Sequence, residues 1–251
     1  NDNYKSGLTV EAALADTAAV IDEVQHMYPV LSTSKRPVMN FGGSYSGATC
    51  TWFRLKYPDS TQGCVSSSGV VNAIYDYVEF DEVIADAVGS TCGKNINELV
   101  SLIDSYFGLG EGDYIKQMFG ATNLIGTKQG DTDFMYMVAD GIAMIDQYGN
   151  KEELCKSVES LSPSASDFDK LQNLWDLLAD HYGSDFSQGC FYDSECLKEY
   201  ETADSSARSW RWQKCSQVAF LQSAPKSSTS SEGQERAKRA PSEASAERSE
   251  A

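Results

Sequence analysis

Apolar residues recur every three or four positions between Leu8 and Tyr28, at Leu8, Ala12, Ala15, Ala19, Val20, Val24 and Met27. That spacing predicts one helix face, with Thr9 as its N-cap and Pro29 as its stop. The pattern then shortens. Pro37-Val-Met-Asn-Phe41 predicts a short buried strand, Gly42-Gly-Ser-Tyr-Ser-Gly47 a tight turn, and Ala48–Tyr57 a helix closed by Pro58. Gln62–Val65 reads as a second short strand, ending in Ser66-Ser-Ser-Gly69. Strand, turn, helix and strand in that order form a βαβ unit, and so a parallel sheet. From about Tyr75 to Tyr200 the spacing turns helical, at Val83–Val88, Ile96–Phe107, Phe134–Ile145 and Phe168–Leu178. Clusters such as Gly108-Leu-Gly-Glu-Gly-Asp113 separate these segments. Arg208–Gln222, with Trp210, Trp212 and Phe220, reads as a return to the sheet. The expected organisation is an α/β portion at 1–75, a mainly helical insertion at 76–204 and a return segment at 205–225.

Lys226–Ala251 contains no Val, Leu, Ile, Met, Cys or aromatic residue. Such a stretch cannot bury a core and is expected to be a disordered tail. The change of character near Pro225 also reads as an interruption of the folded domain. Without an initiator Met or an apolar leader, Asn1 reads as the start of a processed chain or a fragment.

Charge and cysteine content narrow the classes. The 251 residues carry 37 acidic and 20 basic side chains, a net charge of −17. The tail's acids and bases cancel, so that excess sits on residues 1–225. So acidic a chain does not suit nucleic acid, whose phosphates need clustered Lys and Arg. No apolar run reaches the roughly 18 residues of a bilayer span. The seven cysteines (50, 64, 92, 155, 190, 196 and 215) form no CxxC pair, and there are two histidines. A zinc site is therefore not expected, and a disulfide-bearing protein of the secretory or lysosomal route is. The odd count leaves one free thiol or a partner elsewhere.

The candidate chemistry lies in Val38-Met-Asn-Phe-Gly-Gly-Ser-Tyr-Ser-Gly-Ala48. A nucleophile elbow sets a serine on a sharp strand-to-helix turn, flanked by small residues, with a helix N-terminus facing the developing oxyanion. Ser44 has Gly42 two before it and Ser46 two after it, so Ser46 replaces the second glycine of GxSxG. The same residues also suit a plain tight connection or an anion-binding helix start. A phosphate loop fits less well, because no GK[ST] follows.

Phe41-Gly-Gly-Ser-Tyr-Ser-Gly-Ala48, followed by Trp52-Phe-Arg-Leu-Lys-Tyr-Pro58, resembles the elbow of the S28 serine peptidases, a family that includes the lysosomal Pro-X carboxypeptidases and dipeptidyl peptidase II. The similarity continues through Leu8–Asp16, Ser67–Val71 and Glu79–Asp81. It returns at Arg208–Gln222, with Ala224 and Pro225, in a segment similar to the family's Trp-x-x-Gln-x-Cys-x-Glu-Val-Ala. Gln217 stands there where the family usually has Glu. The resemblance implies a partial α/β-hydrolase fold interrupted by a mainly helical cap domain, and cleavage of peptides next to proline. Ser44 would be the nucleophile and the backbone amide of Tyr45 an oxyanion donor. Gln217 and Trp210 are candidate substrate-binding residues, and Cys92–Cys215 the implied disulfide; apart from the resemblance, Cys190 and Cys196 read as a second, local bridge. No cofactor or metal is expected. The expected partner is a proline-containing peptide, with a homodimer open, in a lysosomal, vacuolar or secreted setting.

Departures from the family matter as well. Its triad Asp and His follow the Trp/Gln/Cys segment, yet no histidine occurs after His181 and residues 226–251 hold no Asp. His26 and His181 read as ordinary surface or packing residues, Gln217 equally as a hydrogen-bonded amide, and Trp175, Trp210 and Trp212 as core. The chain as given is therefore expected to be inactive. Two other readings stay open, a noncatalytic binding or scaffold remnant of the same fold and an esterase.

Overall fold

The computed structural model describes residues 2–28, 36–162, 164–199 and 206–223. The expected stop at Pro29, the boundary at 204/205, and the residues from Ala224 onward, including the tail, lie outside the described residues. The elements in chain order are α1 (Asp2–Gly7), α2 (Val10–Met27), β1 (Met39–Gly43), α3 (Tyr45–Lys56), β2 (Gly63–Ser67), α4 (Glu79–Val88) and α5 (Ser90–Gly108). There follow α6 (Gly112–Met118), α7 (Lys128–Gln147), α8 (Lys151–Glu159), α9 (Asp167–Tyr182), α10 (Ser194–Glu199) and α11 (Ser206–Gln213), which runs into a π-turn at Lys214–Val218. The described residues divide into two compact units, the first within 2–76 together with 206–221, the second within 77–199 together with 222–223.

In the first unit, Thr9 caps α2 by accepting a hydrogen bond from the Ala12 N–H at 3.1 Å. The buried residue of α2 is Leu14, while Val20, Val24 and Met27 are exposed. The expected apolar stripe is thus not the inner face. Alanines give this helix two weakly apolar sides, and tertiary packing selects the one that carries Leu14. β1 and β2 pair in parallel, Met39 opposite Gly63 through Gly43 opposite Ser67. Gln62 fixes that register: its N–H donates to the Val38 carbonyl and its Oε1 accepts from the Val38 N–H, both at 2.8 Å. The strand runs on through Gly42 and Gly43, so the turn contracts to Ser44 alone. It is also not the buried strand its residues suggest. Met39 and Phe41 face solvent, Phe41 with 76 % of its surface exposed. Alternate residues of a strand point to opposite faces, and here Asn40 and Gly42 are the half-buried ones.

The second unit closes around a conventional core. Phe134 of α7 is fully buried, with its ring 5.7 Å from Phe107 and 5.4 Å from Phe119. Ile103, Leu154, Leu171 and Leu178 pack into the same cluster. Thr127 caps α7 and Ser166 caps α9, each hydroxyl accepting an N–H of the first turn. Each of the four helical segments read from periodicity falls within one helix, α4, α5, α7 or α9, whereas α6, α8 and α10 were too short to show one. Lys116 of α6 is completely buried and paired with Asp113 at 2.8 Å and Asp131 at 2.5 Å. Asp133 is buried too. It accepts from the N–H and hydroxyl of Ser194, holding the start of α10.

The disulfides require a correction. Cys92 bonds to Cys155, not to Cys215, because α5 and α8 pack side by side with these Cα atoms 5.2 Å apart. Cys215 is exposed and unpaired. Cys190–Cys196 is present, and a third bridge, Cys50–Cys64, ties α3 to β2. No described helix is long and apolar enough to cross a membrane.

Candidate active site

Ser44 stands between the last residue of β1 and the first of α3, with φ 53° and ψ −123°. A non-glycine residue in this region is strained by roughly 1–3 kcal/mol, and such strain persists only where neighbours over-determine it. The neighbours are close. The Ser44 N–H continues the parallel ladder by donating to the Ser67 carbonyl at 3.0 Å. A Cβ on Gly42 would lie 2.1 Å from the Ser46 carbonyl oxygen, and one on Gly47 would lie 2.9 Å from the Gly69 Cα. Glycine is therefore a steric requirement at both positions. Gly47, Ala48, Cys50 and Phe53 bury the inner side of α3. Residues 45–47 present the free N–H groups of the helix start beside Ser44.

Tyr45 follows directly. Its ring lies 5.8 Å from that of Trp210, and its hydroxyl accepts from Gln213 Nε2 at 3.4 Å. Burial raises the phenol pKa above its ordinary value, against a smaller lowering by Gln213. Trp210 and Gln213 stand one helical turn apart on α11, so the return segment reaches the residue after Ser44. Gln217, in the same segment, bonds to the start of α2. Its Oε1 accepts from the Val10 N–H at 3.2 Å, and its Nε2 donates to the Ser216 carbonyl.

The histidines play other parts. His26 lies in the last turn of α2 and is exposed. His181, in the last turn of α9, has Nε2 3.4 Å from Glu153. Among the described residues no hydrogen bond joins Ser44 to a histidine. No role was read for Gln213, although it is the Gln of the Trp-x-x-Gln-x-Cys segment, nor for Ser66, although Gly69 three residues on signalled a close backbone approach. The pair Cys50 and Cys64, flanking one helix–strand connection, was the overlooked sign of the third disulfide.

A parallel βαβ unit with a strained serine at the strand–helix junction is the construction of an elbow-type serine hydrolase. The serine carboxypeptidase S28 family matches residues 1–241, and the chain belongs to that family. The match runs past Pro225, where the motif resemblance was expected to stop. Over 202 residues the chain is 34% identical to the probable serine protease EDA2 of Arabidopsis thaliana, covering 77% of this chain and 38% of that protein. It is 27% identical to the human lysosomal Pro-X carboxypeptidase, covering 85% of this chain and 45% of that one. A probable extracellular serine carboxypeptidase of Arthroderma benhamiae is 32% identical over 54% of this chain and 19% of its own length. The chain thus spans less than half the length of these relatives.

Proposed function

We propose that the chain forms part of a serine exopeptidase that cleaves peptides next to proline through an acyl-serine intermediate. In this reading residues 1–75 and 205–225 belong to an α/β-hydrolase fold and 76–204 form its helical cap. The observation that carries it is the backbone of Ser44, strained at a strand–helix junction in a chain of the S28 family. Ser44 Oγ attacks the carbonyl carbon, and its proton passes to a histidine base. The Tyr45 N–H, with the helix start behind it, stabilises the oxyanion, a contribution of about 3 kcal/mol for one such donor. The Tyr45–Trp210 ring pair offers an apolar wall beside the nucleophile. Cleavage next to proline follows the named relative, a Pro-X carboxypeptidase. A lysosomal or secreted setting follows the relatives and the three disulfides.

The 251-residue chain by itself holds neither histidine on Ser44 among its described residues, and we propose that alone it does not turn over peptides. Without a base the hydroxyl stays protonated, and loss of a triad costs on the order of 10⁶-fold. That same observation favours, as a second reading, a noncatalytic remnant. The test is labelling of the full-length protein with a fluorophosphonate, alongside hydrolysis of a fluorogenic X-Pro substrate from about pH 4.5 to about pH 7.5. Labelling and turnover that vanish in Ser44→Ala support the peptidase. Labelling that persists in Ser44→Ala rejects Ser44. A full-length protein that neither labels nor hydrolyses supports the remnant.

A further inference from the structure

Ser44, Gly47 and Cys50 are spaced three residues apart, along one side of the turn and helix that start at the elbow. Each is tied to β2. The Ser44 N–H bonds the Ser67 carbonyl, the Gly47 carbonyl accepts from the Ser66 hydroxyl at 3.0 Å, and Cys50 is covalently joined to Cys64. Ties repeated at about one helical turn oppose both sliding and rolling of α3 against the strand. The first is main chain, and the third lies two turns from the nucleophile. The middle tie is a side chain acting on the first turn of α3, whose N–H groups face the site where an oxyanion forms.

We infer that Ser66 is a positioning residue of the elbow. Its hydroxyl holds the first turn of α3 in register with β2, keeping the Tyr45 N–H aligned with the reacting carbonyl. The inference rests on the reading of Ser44 as nucleophile. The surroundings of Ser66 show that this bond is built in. A Cβ on Gly69 would lie 2.1 Å from Ser66 Oγ, and one on Gly47 would lie 3.0 Å from it. Although Ser66 as a residue is exposed, its hydroxyl points in between Gly47 and Gly69, and a side chain at Gly69 would leave it no room. Ser68, with φ 48°, makes the sharp bend that brings Gly69 back against Gly47. A serine serving only as a polar surface residue needs none of this. The Gly47 carbonyl also accepts from Thr51 Oγ1 at 3.0 Å, but that bond lies within the helix and cannot fix α3 relative to β2.

The experiment compares wild type, Ser66→Ala, Ser66→Thr and Thr51→Val in the full-length protein. It reads amide hydrogen exchange over residues 44–50, the fluorophosphonate labelling rate of Ser44, and kcat and KM for an X-Pro substrate. Loss of one hydrogen bond in Ser66→Ala is expected to speed exchange and slow labelling by roughly five- to tenfold each. The loss should fall on kcat with KM unchanged. Ser66→Thr keeps the hydroxyl and should restore the rates, and Thr51→Val should stay within about twofold of wild type. Gly69→Ala, whose methyl would crowd both the hydroxyl and the Gly47 backbone, should show the same loss with a larger fall in stability, and Ser66→Cys, which keeps the size with a weaker donor, serves if Ser66→Ala does not fold. Unchanged exchange in the folded variant overturns the brace. Faster exchange with unchanged labelling and kcat overturns the positioning role. A wild-type protein whose Ser44 never labels refutes the nucleophile reading and the positioning role with it, while the exchange data still report separately on the brace.

Discussion

The two units hold their shape by different means. The helical unit does so with large side chains: Phe119, Phe134, Met137, Leu154, Leu171 and Leu178 are buried almost completely in one cluster. The unit carrying Ser44 buries few large side chains and leaves Phe41, Leu55 and Val65 exposed. Around its serine the decisive contacts are main chain against main chain, where glycines let β1, α3 and the exit of β2 approach within van der Waals distance. The difference matters because packed side chains can readjust to a lost methylene, whereas two backbones in contact have no rotamer to change. The strained residue sits in the second kind of environment, where its conformation is over-determined.

The sharpest way to break this contrast is to empty one core and crowd the other. Phe134→Ala should destabilise the helical unit by about 4 kcal/mol through its cavity, read by urea unfolding. Removing disulfides should follow. In the chain-entropy model the Cys92–Cys155 loop, with a separation of 63 residues, contributes about 4 kcal/mol. Cys50–Cys64, separated by 14, contributes about 3 kcal/mol. Paired Cys→Ala variants of each, compared by denaturant midpoint, check the order. Gly42→Ala should cost about 3 kcal/mol, because its methyl has no space beside the Ser46 carbonyl. Gly108→Ala, at the end of α5 with nothing within 4 Å, should be neutral or mildly stabilising. Equal effects of these two glycine variants would remove the distinction between the units.

The smallest effect is a change in pH dependence. Hydrogen bonds from Lys116 and from the Gly126 N–H lower the Asp113 pKa. The Lys116 pKa is raised by its two aspartates, which outweigh a larger single lowering by burial. A lowered folded pKa contributes stability that is present above the unfolded carboxylate value and lost as pH falls through the folded one. A raised lysine pKa contributes stability that is lost only as pH rises through it. The cluster should therefore hold from about pH 4 to about pH 10. Lys116→Met should flatten the acid limb of the stability curve below about pH 4. An unchanged acid limb would show that the cluster contributes nothing there.

Much of this was legible in the residues. Strand, serine turn, helix and parallel strand followed from local pattern and steric demand, as did the Thr9 cap and the longer helices, because these depend on neighbours within a few positions. The inner face of α2 did not, since alanines make two sides nearly equivalent and the packing of Leu14 decides between them. Nor did the burial of Lys116, which reads as a surface residue until Asp113 and Asp131 close around it from two helices. The pairing of seven cysteines is likewise a matter of which helices lie side by side, so Cys92 meets Cys155 and leaves Cys215 free. Sequence alone determined the chemistry available at Ser44: a small-residue turn, a helix start and a hydroxyl. The tertiary structure decided what braces the turn that carries it, because Ser66 and Gly69 reach Gly47, and Gln213 reaches Tyr45, only through contacts between segments distant along the chain.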